Sequence, residues 1–301
     1  AGTPSTAISF TSVNINGNTT YSWTNNTLGI GLGASGTGTI PVFTPVNNTT
    51  SPILVTITVI PTFTNEFKSC TGPSKTFTIT INPRGQVNTV SDIIVCNGDT
   101  VSAITFTSDN TGGTTSFNWV NIAPSIGLAG NGINSTPSFT AVNNGTTPIT
   151  ATITVTPQYT NSITCSGAPF SFTIIVNPSA KVTTVPNKTV CNGSTLAAIN
   201  FATSNISGST SYSWTNDTSS IGLAASGNGN IAAFSAVNLG TSPIDATIQV
   251  TPSYTNNGIT CSGLPTNFTI TVNPTAQVNA VANPILCNGT TTATVAFSTN
   301  N

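Results

Sequence analysis

The chain repeats itself. The run from Phe77 to Pro83, Phe-Thr-Ile-Thr-Ile-Asn-Pro, returns at Phe172 to Pro178 and at Phe268 to Pro274, and after each comes Cys-Asn-Gly, at 96–98, 191–193 and 287–289. The three phenylalanines stand 95 and 96 residues apart. Self-similarity at a fixed period constrains folding more than any local propensity does, because each copy must close the same core and meet its neighbour in the same way. Boundaries at the Asn-Pro pairs give repeat 1 at 1–83 with its start cut short, repeat 2 at 84–178, repeat 3 at 179–274, and the start of repeat 4 at 275–301. Each complete copy is of ordinary size for one hydrophobic core. The partial copies at either end suggest a slice of a longer array. Ala1, with no Met or signal peptide before it, begins either a mature chain or a window cut from one.

Other stretches recur in step. Tyr21-Ser-Trp-Thr-Asn25 matches Phe117-Asn-Trp-Val-Asn121 and Tyr212-Ser-Trp-Thr-Asn216, and Ile30-Gly31-Leu32 returns as Ile126-Gly127-Leu128 and Ile221-Gly222-Leu223. Val46-Asn47, Val142-Asn143 and Val237-Asn238 each follow a Phe with two residues between. The apolar spacing in these runs is two. In Phe172 to Val176 one face takes Phe172, Ile174 and Val176, and Thr173 turns to water. Thr, Val and Ile dominate, with Asn-Gly, Gly-Thr and Asn-Pro clusters between runs. The expectation is all-β: tandem immunoglobulin-like β-sandwiches. In repeat 2 strands are expected near 87–90, 102–107, 115–120, 136–142, 149–157 and 170–177, with a short one at 127–132. Trp23, Trp119 and Trp214 fall mid-strand and are read as core fillers between two sheets rather than ligand platforms, since the aromatic two residues before each shares its face.

Composition removes several chemistries. Only 4% of residues are charged, the net charge is -1, and there is no His. No basic footprint for nucleic acid exists, and no apolar run is long enough to span a bilayer. Without His, neither a Ser-His-Asp nor a Cys-His arrangement can be built. The acidic residues Glu66, Asp92, Asp99, Asp109, Asp217 and Asp245 do not recur together in all repeats, which argues against a calcium site at every junction. The Lys residues do not recur either, so a Lys–Asn crosslink in every repeat is excluded. The Gly31–Gly38 stretch lacks the Lys and helix of a phosphate loop. The reading is therefore not an enzyme, with no cofactor, no metal and no catalytic residue.

The six Cys occupy two recurring positions: Cys70, Cys165 and Cys261 before the last strand, and Cys96, Cys191 and Cys287 in the Cys-Asn-Gly turn. None forms a CxxC, and widely spaced pairs in a Thr/Asn/Ser-rich chain favour bridges in an oxidising compartment. Two pairings are open. The expected pairing is inside each repeat, Cys96–Cys165 and Cys191–Cys261, because every complete repeat brings two Cys. The two turns of one sandwich lie at opposite ends, which favours Cys96–Cys261 as a staple between repeats.

Taken together, Tyr-Ser-Trp-Thr-Asn, Ile-Gly-Leu-Ala-Ala-Ser-Gly, Phe-Thr-Ile-Thr-Val-Asn-Pro and Cys-Asn-Gly resemble the PKD-like (immunoglobulin-like) repeats of giant Bacteroidota surface proteins, although the Trp-Asp-Phe-Gly-Asp-Gly signature of typical PKD domains is missing. The resemblance implies export, by the type IX system, and a cell-surface adhesin or filament of the gliding-adhesin kind. Asp99-Thr100-Val101 resembles the O-glycosylation motif of that phylum, with Thr100 as acceptor. The expected partners are adjacent repeats of the same chain, other copies of it, or surface glycans. The leading expectation is an extracellular structural or adhesive rod, each bead about 40 Å long. Its alternatives are a glycan-binding module and a filament subunit completed by strand donation.

Overall fold

The computed structural model describes residues 3–300, and it is all-β apart from two short 3-10 turns. Repeat 1 contributes β1 (Asn18–Asn25), β2 (Ser35–Thr37), β3 (Ile53–Asn65), β4 (Lys68–Thr71) and β5 (Lys75–Ile81). Repeat 2 contributes β6 (Ile93–Cys96), β7 (Thr100–Val101), β8 (Thr114–Asn121), β9 (Asn131–Ile133), β10 (Phe139–Thr140), β11 (Ile149–Asn161), β12 (Ile163–Ser166) and β13 (Phe170–Asn177). Repeat 3 contributes β14 (Lys188–Cys191), β15 (Thr195–Leu196), β16 (Ser209–Asn216), β17 (Ser226–Asn228), β18 (Phe234–Ser235), β19 (Ile244–Asn256), β20 (Ile259–Ser262) and β21 (Thr266–Asn273). The main sheets follow one plan: β2-β1-β3-β4 with β5 on β3, β6-β13-β11-β8-β9 with β12 on β11, and β14-β21-β19-β16-β17 with β20 on β19. The opposing layer is thin, built from β7 with β10, β15 with β18, and the bridges Ile8–Ile40, Thr105–Ser135 and Ile199–Ile231. These are tandem immunoglobulin-like β-sandwiches.

Two compact units divide the chain. The first comprises 1–93, 100–139 and 150–174, and the second comprises 94–99, 140–149 and 175–301.

Three recurring sequence marks have clear structural causes. Trp23, Trp119 and Trp214 are all buried, each lying over the glycine paired opposite it, Gly36, Gly132 and Gly227, where a Cβ would strike the indole. The buried Asn of the Val-Asn pairs ties a loop to a strand: Asn47 donates to Ile81 O at 2.7 Å, Asn143 to Val176 O at 2.7 Å and Asn238 to Val272 O at 2.7 Å. Side chains that satisfy buried carbonyls this way fix a loop that water would otherwise have to solvate. In Ile-Gly-Leu the glycine takes a left-handed conformation, with φ of 88°, 95° and 91° at Gly31, Gly127 and Gly222.

The long strands β3, β11 and β19 change partner part-way along. The first half of β19 pairs β21 from Ile244 to Val250, and its end pairs β20 from Ser253 to Asn256. Pro252 sits at the switch, where no N–H is required, and its carbonyl accepts Gly263 N at 3.0 Å. Pro61 and Pro157 do the same with Gly72 and Gly167, both at 2.9 Å. Proline is tolerated inside a strand only where the ladder is interrupted.

Repeat 2 departs from expectation in several places. Residues 87–90 form no strand, although Asn88 N donates to Thr107 O at 2.8 Å. The strand beside them is β6, Ile93–Cys96, because its Ile-Ile-Val continues the main sheet. The expected strands at 102–107 and 136–142 shrink to a bridge at Thr105 and to Phe139–Thr140. The short hairpin strand β12, which carries Cys165, was not anticipated.

Candidate functional site at the repeat junctions

The most built-up polar sites in the molecule lie where one repeat meets the next. Each of the two Asn-Pro asparagines that precede a complete repeat stands at the end of a strand of its own sheet, Asn82 just after β5 and Asn177 as the last residue of β13, and its side chain reaches forward. Asn82 Nδ2 donates to Asn161 O at 2.7 Å, and Asn161 Nδ2 returns a bond to Asn82 Oδ1 at 3.2 Å. The second junction repeats the exchange: Asn177 Nδ2 donates to Asn256 O at 3.2 Å and Asn256 Nδ2 to Asn177 Oδ1 at 2.9 Å. Asn82 and Asn177 are buried, so these amides have no water to fall back on. A made hydrogen bond of this kind is worth about 1 kcal/mol, and an orphaned buried partner costs about 1–3 kcal/mol.

A second contact joins loop to loop. Thr111 N donates to Thr50 O of the preceding repeat at 2.9 Å, and Ile206 N donates to Thr146 O at 2.9 Å. The carbonyls of these same two residues are held from within their own repeat, Thr111 O by the Tyr159 hydroxyl at 3.0 Å and Ile206 O by Tyr254 at 2.8 Å. Both tyrosines are fully buried, and burial raises both hydroxyl pKa values; the neighbouring Cys165 adds to the rise at Tyr159. The protonated hydroxyls therefore act as fixed donors that aim the junction loops. Sequence reasoning missed this pair, since repeat 1 has Phe63 at the matching position and the pattern is not uniform.

The backbones also close on one another. A Cβ on Gly167 would collide with Gly85 O, and one on Gly263 with Ala180 O. The linker after each Asn-Pro thus lies directly against the hairpin that precedes the last strand, in a space only glycine leaves open.

The cysteines complete the second junction. Cys96 is bonded to Cys261, with Cα atoms 5.5 Å apart across a separation of 165 residues. This replaces the pairing inside each repeat, Cys96–Cys165 and Cys191–Cys261. The reason is positional. Cys96 ends β6 beside Asn177, since Asn97 N donates to Asn177 O at 2.8 Å, and Cys261 on β20 stands opposite Tyr254, two residues before Asn256. The Asn177–Asn256 exchange therefore brings the two sulfurs together. Cys165 sits opposite Tyr159, near Asn161 and the first junction. Cys165 is a buried thiol and Cys191 an exposed one.

Trp23, Trp119 and Trp214 lie in the sandwich interiors, away from these junctions. Trp119 donates its indole N–H to Ser135 O at 3.0 Å, whereas those of Trp23 and Trp214 are buried without a partner. Thr100 is exposed, at the start of β7. Among the described residues no helix is long and apolar enough to cross a membrane.

No family model matches the chain, and no curated protein is similar to it in sequence. Solved structures similar to this chain include extracellular domains 3–5 of Drosophila OTK, at 12% identity and a TM-score of 0.33, covering 90% of this chain and 92% of that one. Mouse cadherin-23 EC22–24 aligns at 10% identity and a TM-score of 0.40, covering 91% and 93%. The three N-terminal domains of the bacteriophage RB49 Hoc protein align at 14% identity and a TM-score of 0.41, covering 91% and 95%.

Proposed function

We propose that this chain is a segment of an extracellular structural and adhesive array, a stalk whose beads are held in register by their junctions. The observation that carries the reading is the Cys96–Cys261 bridge, which joins two different repeats instead of closing one. A bridge inside a sandwich protects that sandwich, whereas a bridge between sandwiches restrains how they move apart. It also requires an oxidising compartment, as outside the cell. The paired asparagines and tyrosine-aimed loops serve the same end. An enzyme reading has no His to use, and the repeated aromatics are interior, which leaves a glycan-binding reading without a repeated platform. The resemblance to PKD-like repeats of Bacteroidota surface adhesins supports the same placement, with export by the type IX route and Thr100 as a glycan acceptor. Immunogold electron microscopy of intact producing cells tests the proposal. Label on the outer surface or on surface filaments is expected, and label confined to the cytoplasm overturns it.

A further inference from the structure

The outer face of repeat 2 carries an apolar patch that repeats 1 and 3 lack. β9 is the edge strand of its sheet, and among the described residues no strand lies beyond it. Trp119 pairs with Gly132 and points inward, so Val120, opposite Asn131, and Ile133, opposite Asn118, point outward. Ile122 follows Val120 by two residues, with its N–H on Thr152 O at 3.3 Å. Val120 is 53% exposed, Ile122 70% and Ile133 64%. The repeat serves as an internal control. The matching residues are Thr24, Asn26 and Thr37 in repeat 1, and Thr215, Asp217 and Asn228 in repeat 3. A sandwich of this plan therefore folds without apolar side chains at these places, and their gathering in one repeat marks a contact surface.

The edge beside this patch is unguarded. Asn121 N donates to Gly130 O at 2.8 Å and Asn134 N to Phe117 O at 2.7 Å. By alternation Gly130, Gly132 and Asn134 face β8, while the N–H and C=O of Asn131 and the N–H of Ile133 turn to the open side. Natural sheet edges are commonly blocked by a charge or a proline. β9 has neither, and no charged residue occurs between Asp109 and Lys181. Repeat 3 instead has Asp217 at the place of Ile122. The inner side of the edge is bare as well. Gly130 and Gly132 carry no side chain, whereas Ala34 and Ala225 stand at the place of Gly130 in the other repeats. A second backbone can therefore come close. The occupant that fits is an uncharged strand edge with aliphatic side chains on one face, and β9 itself is such an edge.

We propose that repeat 2 pairs edge to edge with repeat 2 of a second copy, β9 running antiparallel to β9 about a two-fold axis at Asn131. The main-chain N–H and C=O of the two Asn131 residues then bond to each other. Each Ile133 N–H meets the Ala129 carbonyl of the other copy, which keeps a lone pair free beside its bond from Asn121 Nδ2 at 3.3 Å. On the outer face Ile133 of one copy stands against the exposed Ala129 of the other, and the two Val120 side chains flank the Asn131 pair. A two-fold contact needs a single self-complementary patch and closes at two copies. Three aliphatic side chains per copy fall short of the roughly 800 Å² that a stable interface buries on each partner, so the pair is weak and gains from copies standing side by side. It rests on the stalk reading only for that crowding, because the geometry belongs to repeat 2 alone.

The test uses the full chain with the exposed Cys70, Cys191 and Cys287 changed to Ser. Directly opposed residues of a hydrogen-bonded antiparallel pair lie about 5.5 Å apart at Cα, a separation that a disulfide spans. Asn131→Cys in this background, incubated with oxidised glutathione as the electron acceptor, should therefore give dimers and nothing longer. Linkage should run at least tenfold faster than for Ser226→Cys, at the same place on β17. Sedimentation of the chain without either new cysteine should depend on concentration. The triple change Val120→Thr, Ile122→Asn and Ile133→Thr, which installs the residues of repeat 1, should lower the association constant at least tenfold and leave thermal unfolding in place. Equal linkage at the two sites, or a chain that sediments as a monomer at every concentration, overturns the proposal. So does an Asn131→Cys chain that is trapped on producing cells with a different protein and never with itself. The same peptide maps show the Cys96–Cys261 bridge. Found in a chain that does not associate, it leaves the stalk reading standing and removes only the lateral contact.

Discussion

Replacing Trp119 with Ala tests whether the recurrent tryptophans are core or platform. Trp119 is 2% exposed at the middle of β8, opposite Gly132 on one side and Val155 on the other, with its indole N–H on Ser135 O at 3.0 Å. Truncating a buried Trp costs about 3–5 kcal/mol through lost burial and the cavity left behind. Ser135 is exposed, so water can take over its carbonyl, and the expected loss is the mid-range value of about 4 kcal/mol. For a repeat of this size that lowers the melting temperature by roughly 20 °C. Calorimetry measures the loss, and hydrogen exchange with mass spectrometry locates it. Amides of β8, β9 and β11 should lose protection first, while those of β16 and β19 keep most of theirs. Gly132→Ala drives a methyl into the same indole and should destabilise the same repeat by about 1–3 kcal/mol. Unchanged unfolding in Trp119→Ala, or an equal loss in all three repeats, refutes the argument.

Asn177→Leu removes both amide bonds to the half-buried Asn256, so the coupling of repeats 2 and 3 should weaken by about 2 kcal/mol; a double-mutant cycle with Asn256 that shows no interaction energy contradicts this. Tyr159 and Tyr254 have pKa values raised by burial, so in the unfolded chain they lose protons first. Their contribution is fully present below pH ~10 and is lost as pH rises past it; Tyr254→Phe should flatten that alkaline fall in urea midpoint, and an unaltered slope sinks the assignment. Reduction of Cys96–Cys261 frees a loop of 165 residues and should lower unfolding stability by up to about 5 kcal/mol in the chain-entropy limit, which a reductant-insensitive denaturation midpoint would exclude.

The sequence shows the fold because its apolar spacing and its repeat act together. Period-two runs such as Phe172, Ile174 and Val176 place one face inward, and the same arrangement returns in every copy. The marks Trp-x-Asn, Ile-Gly-Leu and Val-Asn can be seen as patterns, but their tasks depend on partners far along the chain. Asn143 needs Val176 O, and Trp119 needs Gly132. The junction was the least visible part. Both strands carrying the bridged cysteines, β6 and β20, have only four residues each, too short for a periodic signal, and they pair by extending sheets already present. Counting two Cys per repeat therefore pointed inward, although Asn-Pro, read as a strand stop, is the residue pair that reaches the next repeat. Tyr159 and Tyr254 were passed over because Phe63 breaks the pattern.

Whether the repeats are stapled to one another is decided by non-reducing peptide mapping of the native protein. Proteolysis with free thiols blocked should release one crosslinked peptide joining Cys96 to Cys261, with Cys191 alkylated as a thiol. Recovery of Cys96 linked to Cys165, or of Cys191 linked to Cys261, would place the bridges inside the repeats and contradict the junction on which the account rests.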